Sequence, residues 1–235
     1  MGVAIIFRPA NFGGLPSNPF NDLLIGAIGA AGQNLEVTVS SGFFQEQTPA
    51  VNGVYCASQE PQFRQNLFNS NSTFIAIHGY GSGIWYQRFL AFCQNIANPP
   101  SAAATFGFRV PGYGWHAKVA TILSVTATPL LAIIGSSNMT SNAFGTVGNV
   151  TKTNTKSNRE CDVVLWSPLL DGYMAAFVAA QAPQNVILTQ YVANENADIT
   201  IEERIKEARD SLLGGGVFIP PAVGGVLGNG LERVL

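Results

Sequence analysis

The sequence predicts an α/β domain with a mixed central β-sheet flanked by helices, because segments of strand-like alternation take turns with segments of helical spacing. A central pair of apolar runs joined by a short turn adds a hairpin, so the sheet should mix parallel and antiparallel pairs. With 235 residues and a 47% hydrophobic composition, the chain can bury a substantial core.

After an irregular start, Asn21 is expected to cap a helix running to about Ala31, with Leu23, Leu24, Ala27, Ile28 and Ala31 at helical spacing and Gly32-Gln33-Asn34 as its stop. Leu35 to Val39 alternates and reads as a strand ending at Ser40-Ser41-Gly42, and Thr73 to His78 as a second, before Gly79-Tyr80-Gly81-Ser82-Gly83. Ile84 to Ile96 is helical in pattern, and Phe106 to Val110 is a short strand. Ala117 to Leu123 and Leu130 to Ile134 form the hairpin around a Ser-Val-Thr-Ala-Thr-Pro turn. Thr140 to Phe144 opens a helix, Asp162 to Trp166 is a strand, and Leu169 to Ala180 is a helix. Thr200 to Arg209 is amphipathic, with opposite charges four apart such as Glu202 and Lys206, and Gly214-Gly215-Gly216 ends it. Residues 1–197 therefore read as the main domain, and 198–235 as an amphipathic helix followed by a Gly/Pro-rich apolar arm, Val217 to Leu235, lying on the domain or on a second subunit.

The formal charge of -2 conceals an asymmetry: from Glu60 to Glu160 there is no intervening Asp or Glu, while Arg64, Arg88, Arg109, Lys118, Lys152, Lys156 and Arg159 lie between them. Such a segment concentrates a phosphate-bearing partner at one face of an otherwise acidic protein. The longest apolar runs are broken by Gly, Pro, Ser or Asn, so no stable membrane insertion is expected. Met1 to Arg8 lacks the basic stretch and apolar run of a secretory signal, and Ile6 stands where myristoylation requires Ser or Thr. Cys56, Cys93 and Cys161 are an odd number with no close spacing, which argues against a disulfide framework or a zinc cluster and for a reducing, cytoplasmic setting. Cys161 is expected to be a buried apolar neighbour of Glu160.

The chemistry gathers around Trp115-His116-Ala117-Lys118. Strand periodicity puts His116 and Lys118 on one face, a nucleophile beside a cation. After the hairpin, Gly135-Ser136-Ser137-Asn138 brings two hydroxyls and an amide to a strand end, and Asn158-Arg159-Glu160 supplies a carboxylate entering another strand. His78 stands before a Gly-rich turn, but the chain has no Gly-x-Ser-x-Gly elbow and that turn lacks the Gly-Lys-Ser/Thr of a P-loop, so His78 reads as structural.

In these residues the sequence resembles the phospholipase D superfamily, whose motif is His-x-Lys, commonly an Asp five residues on, then Gly-Ser-x-Asn. His116, Lys118, Gly135, Ser136 and Asn138 match in type and order. Asn158-Arg159-Glu160 and Val39-Ser40-Ser41-Gly42-Phe43-Phe44 resemble the nuclease branch, and the likeness covers roughly residues 20 to 166. Leu123 stands where the Asp is expected, and the interval from His116 to Gly135 exceeds the common spacing by about five residues, which the hairpin absorbs.

The resemblance implies a phospholipase D-like fold with one motif copy per chain and a metal-independent phosphodiesterase without cofactor. His116 would attack phosphorus to give a phosphohistidine. Lys118 and Asn138, helped by Ser136 and Ser137, would hold the non-bridging oxygens, and Glu160 would accept the other ring N–H of His116. A second histidine must protonate the leaving oxygen, which implies a homodimer with two His116 residues facing each other. Lys152, Lys156 and Arg159 are candidate phosphate contacts, and Trp115 and Tyr113 candidate stacking partners of a base. The expected substrate is nucleic acid, DNA or RNA. A phospholipid hydrolase or transferase is the alternative, and a non-catalytic nucleic-acid-binding module the third reading.

Overall fold

The computed structural model describes residues 1–8, 18–47, 55–110, 117–124, 126–145, 160–181, 186–191, 200–214, 220–227 and 230–235. Its strands are β1 (Gly2–Arg8), β2 (Leu35–Ser40), β3 (Thr73–His78), β4 (Ala104–Arg109), β5 (Lys118–Ser124), β6 (Pro129–Gly135), β7 (Glu160–Trp166), β8 (Val186–Tyr191) and β9 (Glu232–Arg233). They form one sheet in the order β8-β1-β7-β6-β5-β2-β3-β4-β9. β2, β3 and β4 pair in parallel, as strands joined by helical crossovers do, and the other pairs are antiparallel. The fold is thus the mixed, helix-flanked α/β sheet that the sequence predicts.

The helices are α1 (Pro19–Ala30), α2 (Phe63–Asn69), α3 (Gly83–Ala97), the single turn α4 (Ser141–Phe144), α5 (Asp171–Gln181) and α6 (Ile201–Leu213). Leu24 and Ile28 of α1, Phe63 of α2, Phe92 of α3, Phe144 of α4 and Met174 of α5 join Val37, Phe74, Ile122 and Val164 in the main core. α6 covers the opposite face of the sheet. There Ile201 and Ile205 pack on Ala132, and Leu212 and Leu213 on Ile75 and Ile77. A Thr200/Glu203 capping box starts α6, and Gly214, at φ 86°, ends it in the left-handed conformation that glycine adopts without strain.

Four expectations need correction. The opening residues form β1, an inner strand between β7 and β8. Val3, Ile5 and Phe7 on one face and Ala4 and Ile6 on the other are all apolar, so no alternation marks it. α1 is capped by Asn18, whose Oδ1 accepts the Phe20 N–H at 3.3 Å, because Pro19 fits the first helical position. Asn21 instead donates its side-chain N–H to the Phe144 carbonyl at 2.6 Å. α2 was not predicted, since only Phe63 and Leu67 in its seven residues are buried. Cys161 is exposed rather than buried, because it alternates with the buried Glu160 and Asp162 along β7. In the C-terminal arm, β9 pairs with β4 and Leu231 enters the core beside Phe108, so the described part of that arm lies on its own domain.

Candidate active site

Three strands deliver the candidate residues to one end of the sheet. β5 begins at Lys118, β6 ends at Gly135 and β7 begins at Glu160, and the register places Lys118 opposite Gly135 and Gly135 opposite Asp162. β2 and β3 end at the same edge, with Ser40 opposite Val119. Since cross-strand partners share a face, Lys118, Glu160 and Asp162 all lie on the side covered by α1 to α5.

The backbone after β6 is held by two carboxylates. The Ser136 hydroxyl donates to Glu160 Oε2 and accepts the Cys161 N–H at 3.0 Å. Asp162 Oδ1 accepts the N–H groups of Ser136 and Ser137 at 3.1 and 3.3 Å, and its Oδ2 accepts the Ser137 hydroxyl at 2.6 Å. Glu160 and Asp162 are both buried and line a cavity of about 10 Å³ with Asn18, Phe20 and Ser137. Ser137, expected at the substrate, is 3% exposed and turned to Asp162, so what it does here is join β6 to β7.

Asn138 is half-buried, and its Oδ1 lies 3.2 Å from the hydroxyl of Ser41, which follows β2. The Met139 N–H donates to the same hydroxyl at 3.2 Å, and Phe44 bridges Met139. Ser40 donates to the Ala117 carbonyl at 3.2 Å, fixing the residue that follows His116 in the chain. Behind Ser41, the His78 ring is fully buried among Phe44, Tyr80 and Phe89, and burial pushes its pKa down to about 4. Its Nδ1 lies 3.3 Å from the Ser41 carbonyl, an acceptor only, so the neutral ring carries its proton on Nδ1.

The structure therefore brings Lys118, Ser136, Ser137, Asn138 and Glu160 to one sheet end. His116, Trp115, Tyr113, Lys152, Lys156 and Arg159 lie outside the described residues. Sequence reasoning missed Asp162 and Ser41. Asp162 follows Glu160 by two in a strand and so shares its face, a signal that was legible; the link of Ser41 to Asn138 spans 97 positions and was not. Among the described residues no helix is long and apolar enough to cross a membrane.

No protein-family model and no curated protein matches the sequence. Solved structures similar to the chain include NucT from Helicobacter pylori, at 12% identity and TM-score 0.38 over 72% of this chain and 91% of that one. The yeast tyrosyl-DNA phosphodiesterase is similar at 10% identity and TM-score 0.45 over 69% of this chain and 46% of that one. Phosphatidylserine synthase from Haemophilus influenzae Rd KW20 is similar at 10% identity and TM-score 0.42, over 89% and 45%. The chain thus spans most of the first and less than half the length of the other two.

Proposed function

We propose that this chain is a metal-independent phosphodiesterase, a nuclease hydrolysing DNA or RNA through a phosphohistidine in a homodimeric active site. The observation that carries this reading is the meeting of Lys118, Asn138 and Glu160 at one sheet end, at the start of the strand that His116 precedes by two residues. The reading gives Lys118 and Asn138 the role of donors for phosphoryl oxygens and Glu160 that of a carboxylate for the imidazolium, with His116 as the nucleophile.

In the first step a ring nitrogen of His116 attacks phosphorus, forming a P–N bond as the P–O bond to the leaving group breaks. Lys118 and the Asn138 amide stabilise the charge on the non-bridging oxygens, work that cations or oriented donors do in any phosphoryl transfer. Glu160 accepts the other ring N–H and supports the imidazolium. A second histidine gives its proton to the leaving oxygen, then takes one from the water that displaces His116 from phosphorus.

The chain carries two histidines, and His78 is fully buried, so the second proton carrier in this reading is His116 of a second copy. The acid-free interval that contains Lys118 and Asn138 favours a polyanionic substrate. Cys161, free and exposed, fits a reducing compartment and supports a cytoplasmic setting.

The test is cleavage of labelled single-stranded DNA, double-stranded DNA, RNA and a fluorescent phospholipid in EDTA by wild type and His116→Ala. Nucleic-acid cleavage that survives EDTA and disappears in the variant is the expected result. Lipid cleavage alone would replace the nuclease with a phospholipid hydrolase, and no turnover on any substrate would sink the enzyme reading. Light scattering that finds only monomer in an active sample would refute the dimer.

A further inference from the structure

Directly beside Asn138 the surface carries an aromatic step that the chemistry above does not use. Phe43, two residues after Ser41, is fixed by its own backbone: its N–H donates to Ser41 Oγ at 3.3 Å and its carbonyl accepts from that hydroxyl at 2.8 Å. Tyr80, in the turn after β3, stacks on the Phe43 ring at 5.8 Å and 24°. Trp85, in the first turn of α3, meets Phe43 edge-on at 4.7 Å, and the Arg88 guanidinium lies 4.7 Å over the Trp85 ring. All four side chains are half-buried, and the adjoining Gly81 to Ile84 are exposed.

A core cluster of this size would be closed off from water; this one leaves Phe43, Tyr80 and Trp85 only half-buried, next to a cation. The first turn of α3 carries no carboxylate, and no acidic residue occurs from 61 to 159, so the surroundings suit a ligand with an aromatic face and a phosphate. Aromatic rings and Arg planes that receive successive bases along a basic track are the means by which proteins hold unpaired nucleic-acid strands. A base inside a duplex has both faces covered and cannot use such a step.

We propose that Phe43, Tyr80, Trp85 and Arg88 form a stacking platform for an unpaired nucleobase adjoining the diester held at Asn138. This rests on the nuclease reading and narrows its substrate to single-stranded or locally unpaired nucleic acid. The platform positions the strand; it takes no part in the bond-breaking steps.

The test uses the full chain in EDTA, with fluorescence anisotropy on a labelled 12-mer of thymidine, a 12-mer of the same backbone without bases, and a duplex. Wild type should bind the thymidine strand at least about tenfold more tightly than the abasic strand or the duplex, the equivalent of one base stack. Trp85→Ala and the volume-conserving Phe43→Leu should each lose about tenfold on thymidine and nothing on the abasic strand, while Trp85→Phe keeps most of the affinity. Equal wild-type affinity for all three ligands, or equal losses on the two single strands in folded variants, would overturn the platform. Cleavage read on the same strands separates the two ideas: base-dependent binding without cleavage retires the phosphodiesterase and keeps the platform. Equal kcat/KM on based and abasic strands keeps the chemistry and retires the platform.

Discussion

The hydroxyl of Ser41 sits 3.2 Å from Oδ1 of Asn138, and its other partners decide which way that amide faces. Two backbone N–H groups, of Phe43 and Met139, donate to this oxygen at 3.3 and 3.2 Å and occupy both lone pairs. The one hydroxyl proton is shared between the Phe43 carbonyl at 2.8 Å and Asn138 at 3.2 Å, and with both lone pairs taken the oxygen cannot accept from an amide N–H, so Oδ1 is the atom turned towards Ser41 and the Nδ2 donors are turned away from it. An amide held this way presents N–H groups to an anion without first having to flip.

Removing that constraint should show in catalysis more than in folding. Asn138→Ala is expected to lower kcat about 10²- to 10³-fold, the usual cost of a transition-state donor. Ser41→Ala should lose about tenfold, and Ser41→Thr, which keeps the hydroxyl, should recover most of it. In the Asn138→Ala background the Ser41 substitution should cost nothing further, because the two act as one unit. Additive losses in the double variant would show that Ser41 acts by another route.

Gly135 predicts a stability effect at the same strand end. A Cβ there would stand 2.1 Å from Asp162 Oδ1 and 2.4 Å from the Cys161 carbonyl, and the second contact is backbone that cannot swing aside. Gly135→Ala should therefore force β6 from β7 and cost about 1–3 kcal/mol in urea unfolding. Asp162→Ala should cost a comparable amount for a different reason, since it strands the buried Ser137 hydroxyl and N–H, while the Ser136 N–H keeps the Cys161 carbonyl at 3.2 Å. A Gly135→Ala protein as stable as wild type would contradict the tight seam between these strands.

What was legible in the sequence follows from the range of each interaction. The β5–β6 hairpin and the caps of α6 are local, and their residues announce themselves by alternation, by Thr200 with Glu203, and by Gly214. Lys118 and Glu160 were found through residue type and order. β1 escaped because both its faces are apolar, whereas the Asn18 cap was legible, since an Asn followed by a proline at the first helical position is a helix-start signal. The aromatic step was invisible for another reason: Phe43, Tyr80 and Trp85 come from two loops and a helix, and only the parallel pairing of β2 with β3 brings those loops together.

The link between α6 and the sheet gives a third prediction. Arg209 holds Glu36 of β2 with two parallel bonds, Nε to Oε1 at 2.7 Å and Nη2 to Oε2 at 2.9 Å, and also reaches Asp210 at 2.9 Å. The Arg209 side chain is 7% exposed, so the pair is shielded more than a surface bridge. Arg209→Ala should destabilise the fold by about 2–3 kcal/mol, because Glu36 is left beside the sheet without its partner. Arg209→Lys should recover less than half of this, since an ammonium cannot make the two-pronged contact. Full recovery by lysine in urea unfolding would mean that charge alone is needed there.

His78 supplies the pH dependence. Its ring titrates near pH 4 in the fold, against an ordinary value of about 6.5 in the unfolded chain, because burial disfavours the charged form. Above pH 6.5 both states are neutral and the difference contributes nothing. As pH falls from 6.5 to 4 the unfolded chain takes up a proton that the fold refuses, so the folded state loses stability. Below pH 4 both are protonated and the loss levels off at about 3 kcal/mol. His78→Phe keeps an aromatic ring against Phe44 and Phe89 but cannot titrate. It should lower stability at pH 7, through the lost bond to the Ser41 carbonyl, and flatten the slope of unfolding free energy between pH 4 and 6.5. Urea titrations of both proteins at pH 4, 5, 6 and 7 measure that slope. A variant as acid-sensitive as wild type would move the effect away from His78, to groups that titrate elsewhere in the chain.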